Sequence, residues 1–184
     1  SEGGKLWPLI KETAKNEQLV QNLRFLLDVA RDKSVQIIYV PHKKTEPGLY
    51  QNFKFKNITH SGIEEGNVFE KGEWGSEFHP ELLPQEGDLI AQDHWSASGF
   101  ANTDLDFILK QHDIDHVILC GLRANTCIES TARYAVELGY HTSLLTDGIA
   151  SFSQDEMDAT INLNFPTFGH VALTVNEFIQ SIKS

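Results

Sequence analysis

The sequence predicts an α/β domain built on a doubly wound parallel sheet, and three observations predict it. Short β-branched runs alternate with stretches of helical periodicity from residue 87 to the C-terminus, which is the rhythm of βαβ units. The run HVILCGL (116–122) is apolar throughout instead of alternating, as a strand covered on both faces must be. A glycine falls where a helix should stop, with Gly139 closing the periodic segment that begins at Cys127.

The elements follow in order. SEGGKLWPLIKE opens the chain and reads as a loop. NEQLVQNLRFLLDVARDK (16–33) places Leu19, Leu23, Leu26, Leu27 and Ala30 on one face at helical spacing. VQIIYVP (35–41) is short, β-branched and stopped by proline, hence a strand. The stretch to about Leu83 is irregular and holds two aromatic-glycine pieces, GLYQNFKFKN and GEWGSEFHPELL. A connection of that length is expected to be a binding loop. GDLIAQD (87–93) reads as a strand, NTDLDFILKQHD (102–113) as a short helix and CIESTARYAVELG (127–139) as a helix. YHTSLLTD (140–147) and HVALTV (170–175) complete the strands, while DEMDATINLNF (155–165) and NEFIQSIKS (176–184) are helices. Residues 35–40, 88–92, 117–121, 142–145 and 171–174 are therefore expected as neighbouring parallel strands.

At 184 residues the chain suits one core, taken as a single domain over 1–184. Its net charge is -11, with HKKTEP the one short basic cluster, so nucleic acid and membrane surfaces are excluded as partners. No apolar run approaches the roughly 20 residues of a membrane span, and the N-terminus has no signal-peptide core. Cys120 and Cys127 are the only cysteines, and Cys120 lies mid-strand. No structural disulfide is expected, and a cytoplasmic location fits. No metal site is expected, because the histidines lack closed-site spacing. Neither G-x-G-x-x-G after a strand nor G-K-[ST] occurs, so no cofactor is expected. G-x-S-x-G is missing as well, which argues against a serine hydrolase. A small molecule is the expected partner.

Open parallel sheets bind ligands beyond the carboxyl ends of their strands. Here those positions are Pro41 and His42, residues 93–95, residues 121–127, and Asp147 to Ser151. With Thr126 as N-cap, Glu129 completes a capping box and puts Cys127 in the first helical turn. Backbone N–H groups there stabilise a thiolate and suit an oxyanion. The same spacing fits a cysteine that only fills space behind the strand. Cys120 reads as core. Asp93 is the natural carboxylate on the rim, or else a cap of the WSASGF turn. His94 and His42 are candidate bases, and Asp147 before Gly148 reads first as a turn. Trp95, Phe100, Tyr50, Phe53 and Trp74 are candidate pocket walls.

The stretch GDLIAQDHWSASGFANTDLDFILKQHDIDHVILCGLRANTCIESTARYAVELGYHTSLLTD (87–147) resembles the isochorismatase-like cysteine hydrolase superfamily. The marks are the Gly-Asp strand, the aromatic turn before NTDLD, and above all G-x-x-A-N-T-C followed by S-T-A-R-x-A and G-Y. The likeness runs forward through GIASFSQDEMDATINL and back through GEWGSEFHPEL to SEGGKLW. It implies a single three-layer α/β domain with a six-stranded parallel sheet, assembled as a homodimer or homotetramer. It also implies a Cys-Asp-Lys site with Cys127 as nucleophile, and a non-proline cis peptide at Leu122-Arg123.

Two departures stand out. Counting from Gly87 and Asp88, the family lysine falls on Asp93, an anion that would raise a nearby thiol's pKa. SEGGKLW resembles the segment just after the family's first strand, whose end carries the catalytic aspartate, and that strand has no match here. The strands 35–40 and 117–121 are thus expected to flank a slot, filled by an upstream segment or another chain. The expected function is cysteine-dependent hydrolysis of a C–N bond in a small amide, imide or ureido compound. Cys127 attacks, Asp93 or His94 moves protons, and the backbone at Arg123 and Cys127 holds the oxyanion. Trp95, Arg123, Asn125 and Trp74 would contact substrate. The alternatives are a non-catalytic binding or assembly protein on this fold, and an isochorismate vinyl-ether hydrolase, which the cysteine disfavours.

Overall fold

The computed structural model describes residues 3–183, so Ser1, Glu2 and Ser184, at the ends of the two terminal segments read above, lie outside the described residues. The opening segment read as a loop is a turn only over residues 3–6 and then a helix, α1 (Trp7–Asn16), in which Pro8 occupies the first turn where its missing N–H costs nothing. Gln18, at φ +49, turns the chain into α2 (Leu19–Asp32), which buries Leu19, Leu26 and Ala30 as the periodicity requires. The strands are β1 (Ile38–Tyr39), β2 (Leu89–Ile90), β3 (His116–Leu122), β4 (His141–Ala150) and β5 (Val171–Leu173). Between them lie α3 (Ile58–Glu65), α4 (Leu105–Gln111), α5 (Glu129–Glu137), α6 (Gln154–Asp158) and, last, α7 (Val175–Ser181). The long loop therefore contains a helix that periodicity missed. α3 is short and mixes β-branched residues with Gly62, and it is started by Asn57, whose side chain accepts from the His60 N–H at 2.9 Å.

All the pairings are parallel, as expected, but the five strands are not one ladder. β1 pairs with β2, and β3, β4 and β5 pair in that order; among the described residues no ladder joins the two groups. The break lies between β1 and β3, where the slot is expected. α2 spans it on one face. Its Leu26 packs with Leu145, Ile118 and Cys120, while its Arg31 pairs with Asp88 beside β2 at 2.7 Å and reaches the Tyr39 hydroxyl at 3.4 Å. On the other face Leu105 and Leu109 of α4 pack with Ile38, Val40 and Val117. Side chains alternate along a strand, so Val117 and Leu119 face α4 and α5 while Ile118 and Cys120 face α2 and α7. Three layers result.

β4 corrects a turn reading. Asp147 and Gly148 lie inside the strand, at a register shift that matches Leu119 to Leu144 but Gly121 to Ile149. A side chain at 148 would meet the Leu145 Cβ at 3.0 Å and the Cys120 Cβ at 3.3 Å, so glycine here serves close packing at a bulge. Asp147 is a structural staple, its carboxylate accepting from the Val175 N–H at 2.7 Å at the start of α7. No helix among the described residues is long and apolar enough to cross a membrane.

Candidate active site

β3 ends at Gly121 (φ +115) and Leu122, and the Leu122-Arg123 peptide bond is cis, where the resemblance implies it. One π-helical turn, Ala124–Ile128, then leads into α5. Ala124 and Ile128 anchor the turn in the core against Met157 of α6, which leaves Cys127 only partly buried. Cys127 thus sits in the first turn, but the capping box does not form. Arg123 holds the N-cap position without a side-chain bond. The Thr126 hydroxyl lies 3.9 Å from the Cys127 Sγ, and Glu129 is taken by Arg133 at 2.9 Å and Asn164 at 3.0 Å. The π turn makes Thr126 the third residue of the helical stretch, where its backbone can no longer act as a cap.

Three elements fix the turn from behind. The Glu156 carboxylate of α6 accepts from the Ser151 hydroxyl at 2.6 Å and the Phe152 N–H at 3.0 Å, and the Arg123 guanidinium lies 3.6 Å away. The Ser151 Oγ is also 2.8 Å from the Asn125 Oδ1. Arg123 lies flat on the Phe152 ring at 3.5 Å, with its Nε buried and unpartnered. Ser151 is held in turn by α1, whose Thr13 hydroxyl donates to the Ser151 carbonyl. Burial pulls the Glu156 carboxyl upward, but the bonds from Ser151 and Phe152, the charge of Arg123 and a bond from Asn125 together hold it below its ordinary value.

The other half of the rim is built from β1 and β2. The ladder continues past the strand ends through a bridge between His42 and His94, whose rings meet edge to face at 5.0 Å. His42 Nδ1 lies 2.9 Å from the Lys43 carbonyl, and His94 Nδ1 lies 2.9 Å from the Ser96 carbonyl. A carbonyl can only accept, so each ring carries its proton on Nδ1 and presents a bare Nε2. The His42 Nε2 is buried without a partner. Burial, reinforced by His94 and His60 against the pull of the Lys43 carbonyl and Asp93, pushes His42 down to about 4. Burial likewise lowers His94, against the Ser96 carbonyl and Asp93. Asp93 has found a cation that sequence reading missed: Lys43 Nζ is 3.9 Å from its carboxylate and sits over the Trp95 ring at 5.4 Å.

The two halves meet at Gly99. Its N–H donates to the Thr131 hydroxyl at 2.9 Å, one helical turn beyond Cys127, and a Cβ there would lie 2.5 Å from Val40 Cγ1. The structure thus brings Arg123, Asn125 and Cys127 together, and separately Asp93, His94 and Trp95, with the glycine turn as the joint. Among the described residues no hydrogen bond links Cys127 to Asp93 or His94. Trp74 lies at the far end of the loop, its indole against the Gly3 backbone. Tyr50 and Phe100 are buried in the core. Cys120 is core as expected, and burial pushes its thiol up to about 11. Glu156 and Lys43 had escaped the sequence reading, and Ser151 figured there only as a rim position. Ser153 and Glu156 form the S-x-x-E signature of a helix start, and the Ser153 hydroxyl does accept from the Glu156 N–H at 3.2 Å.

Comparison with known proteins agrees with this architecture. The model of the isochorismatase domain matches residues 6–175. An uncharacterized isochorismatase family protein of Bacillus subtilis, YwoC, is 40% identical over 109 residues. That stretch is 59% of this chain and 56% of the relative, so the match spans little more than half of that protein's length. Ureidoacrylate amidohydrolase RutB of Rhizobium rhizogenes is 27% identical over 174 residues, covering 89% of this chain and 70% of that one. The crystal structure of a cysteine hydrolase from Pseudomonas syringae pv. phaseolicola superposes with a TM-score of 0.80 at 29% identity, over 95% of this chain and 83% of the other.

Proposed function

The chain belongs to the isochorismatase family, and from that premise we propose that it hydrolyses a C–N bond of a small amide or ureido compound through Cys127. The observation that carries the reading is a partly exposed cysteine in the first turn of a helix, on a rim anchored from behind by α6. The likeness to ureidoacrylate amidohydrolases supports the substrate class.

The Cys127 Sγ, losing its proton to the rim, bonds to the carbonyl carbon. The oxygen that gains the charge is held by the N–H groups of Arg123 and Cys127 at the start of the turn, since the Thr126 N–H is already taken by the Arg123 carbonyl at 3.3 Å. The C–N bond then breaks as the leaving nitrogen takes up a proton. Water attacks the thioester, releases the acid and restores the thiol. His94 suits the proton work, since it is neutral near pH 7 with its Nε2 free to accept. Asp93, whose carboxylate lies 3.9 Å from Lys43 Nζ, is the alternative proton carrier. Trp95, Arg123 and Asn125 would border the substrate, and Trp74 would reach it only from the loop.

The test is ammonia or amine release from a panel of primary amides and ureido compounds that includes ureidoacrylate. Cys127→Ala should abolish turnover, a loss of at least about 10³-fold, while leaving thermal unfolding little changed. A variant that keeps wild-type turnover would remove the covalent route. A second reading, ligand binding without turnover, is favoured by the engagement of Asp93 with Lys43. It predicts that iodoacetamide modifies Cys127 no faster than Cys120 at pH 7.

A further inference from the structure

Glu156 has no part in that chemistry, yet it is the point where the nucleophile turn is tied down. Its one oxygen Oε2 collects the Ser151 hydroxyl at 2.6 Å, the Phe152 N–H at 3.0 Å and the Arg123 guanidinium at 3.6 Å. Asn125 is tied to the same carboxylate by its own side-chain bond, with its Oδ1 2.8 Å from the Ser151 Oγ. Two residues of the turn, 123 and 125, are therefore fixed by a single carboxylate that comes from a different element. Its neighbour Met157 is fully buried and packs with Ala124 and Ile128 from the same turn. The apolar contact sets the distance of α6 from the turn, and the carboxylate sets the turn's orientation. The phenyl ring of Phe152 holds the guanidinium flat at 3.5 Å, so Arg123 cannot swing towards Cys127 without giving up both partners.

We propose that Glu156 is a positioning residue for Cys127: its carboxylate orients residues 123–125 so that the N–H groups at the start of the turn face the thiol. This rests on the reading of Cys127 as the nucleophile. A carboxylate suits the place because one oxygen accepts from a hydroxyl and an amide, which sets the turn's orientation, while its charge balances a guanidinium. Burial alone would favour the protonated acid, and the hydrogen bonds and Arg123 overcome it, so the group is charged across the neutral range.

The experiment is the pH profile of iodoacetamide modification of Cys127 in the intact chain, followed by peptide mass spectrometry, for wild type, Glu156→Gln and Glu156→Ala. Removing a nearby negative charge by itself lowers a thiol's midpoint, whereas losing aligned N–H donors raises it. Glutamine keeps an acceptor for Ser151 and Phe152 and loses only the charge, so its midpoint should stay or fall. Alanine loses both, and its midpoint should rise by about half a unit or more, with a rate at pH 7 at least about 3-fold lower. A rise with alanine that glutamine does not share is the signature of positioning. Shifts of the same sign, or a midpoint unmoved in both while only thermal stability changes, would overturn it. Ser151→Ala, which removes one of the hydrogen bonds that orient the carboxylate and leaves the charge in place, should raise the midpoint in the same direction as alanine at 156 and serves if that variant does not fold. Failure of the nucleophile reading shows separately, in wild type alone, as Cys127 reacting no faster than Cys120.

Discussion

Strand β3 (HVILCGL) is the more apolar run and β4 (HTSLLTDGIA) the more polar one, yet β4 is the more deeply buried, because their surroundings differ. β4 has a parallel neighbour on each side, and its Thr142, Leu144, Leu145, Ile149 and Ala150 are all 0% exposed. Among the described residues β3 has one neighbour, and Val117, Ile118, Leu119 and Cys120 are only partly buried. Helices cover both strands, so the difference comes from the edge. The rims above the two parts of the sheet differ in kind as well. Beyond β3 and β4, a charged carboxylate holds the turn by hydrogen bonds. Beyond β1 and β2, two imidazoles are held by burial and aromatic contact, and the His42 Nε2 has no partner. Composition sets which residues tend inward; what lies along the edge sets how far inward they get.

The largest effect should come from truncating both strands. Leu144→Ala leaves a cavity in a closed environment and should cost about 3–5 kcal/mol, whereas Ile118→Ala, beside the open edge, should cost about 1–2 kcal/mol. Urea unfolding with an unchanged slope measures both. Equal losses would mean that β3 is as enclosed in solution as β4.

The rims can be separated by pH. His42 is held near 4, chiefly by burial, against an ordinary value of about 6.5 in the unfolded chain. The folded state binds this proton less readily, so His42 contributes its full stability above about pH 6.5 and loses it as pH falls towards 4. The loss should reach on the order of 2–3 kcal/mol. The depressed carboxyl of Glu156 works in a lower window: its contribution is present above the ordinary glutamate range and fades only as pH falls through its folded value. Between pH 6.5 and 4.5 the β1 and β2 side should therefore loosen first. His42→Phe, which cannot titrate, should flatten the slope of urea midpoint against pH over that interval. A slope as steep as wild type's would assign the titration to another histidine.

These contrasts also explain what sequence could reveal. The helix face of Leu19, Leu26 and Ala30 and the apolar run of β3 were legible because local periodicity encodes them. The NTC motif led to Cys127, and the resemblance to the cis peptide. What stayed hidden depends on partners distant in sequence. The Asp147-Gly148 pair looks like a turn until Cys120 is seen packed against position 148. Thr126 looks like a cap until a π turn moves it inside the helix. Asp93 looks like a bare anion until Lys43, fifty residues earlier by number, is found 3.9 Å away. Glu156 reads as an ordinary first-turn acid, and only the fold shows that it faces Arg123 and Ser151.

The smallest effect is the most direct reading of the edge itself. The His141 N–H bonds to the Asp115 carbonyl, and His116 stands opposite His141. In a parallel ladder this phase turns the backbone groups of residues 115, 117 and 119 towards β4, and those of Ile118 and Cys120 the other way. On β1, the carbonyls of Ile37 and Tyr39 accept from Leu89 and Ala91, so Ile38 and Val40 also face away from their partner strand. Both sets border the break between β1 and β3. An unpaired amide beside a buried sheet costs about 1–3 kcal/mol, and here that cost is softened because the strands flanking the break are only partly buried. Amide exchange should therefore be at least about 10-fold faster at Ile118 and Cys120 than at Leu144, a difference of about 1.4 kcal/mol in opening. A parallel strand lying in the break would pair with both edges at once and erase the difference. Protection at Ile118 equal to that at Leu144 would thus show the edge closed in solution. Repeating the exchange after dilution, with light scattering to follow the homodimer or homotetramer proposed for the family fold, then tells a second chain from a segment joined to this one. Protection that falls on dilution belongs to a partner, and protection that does not belongs to the chain itself.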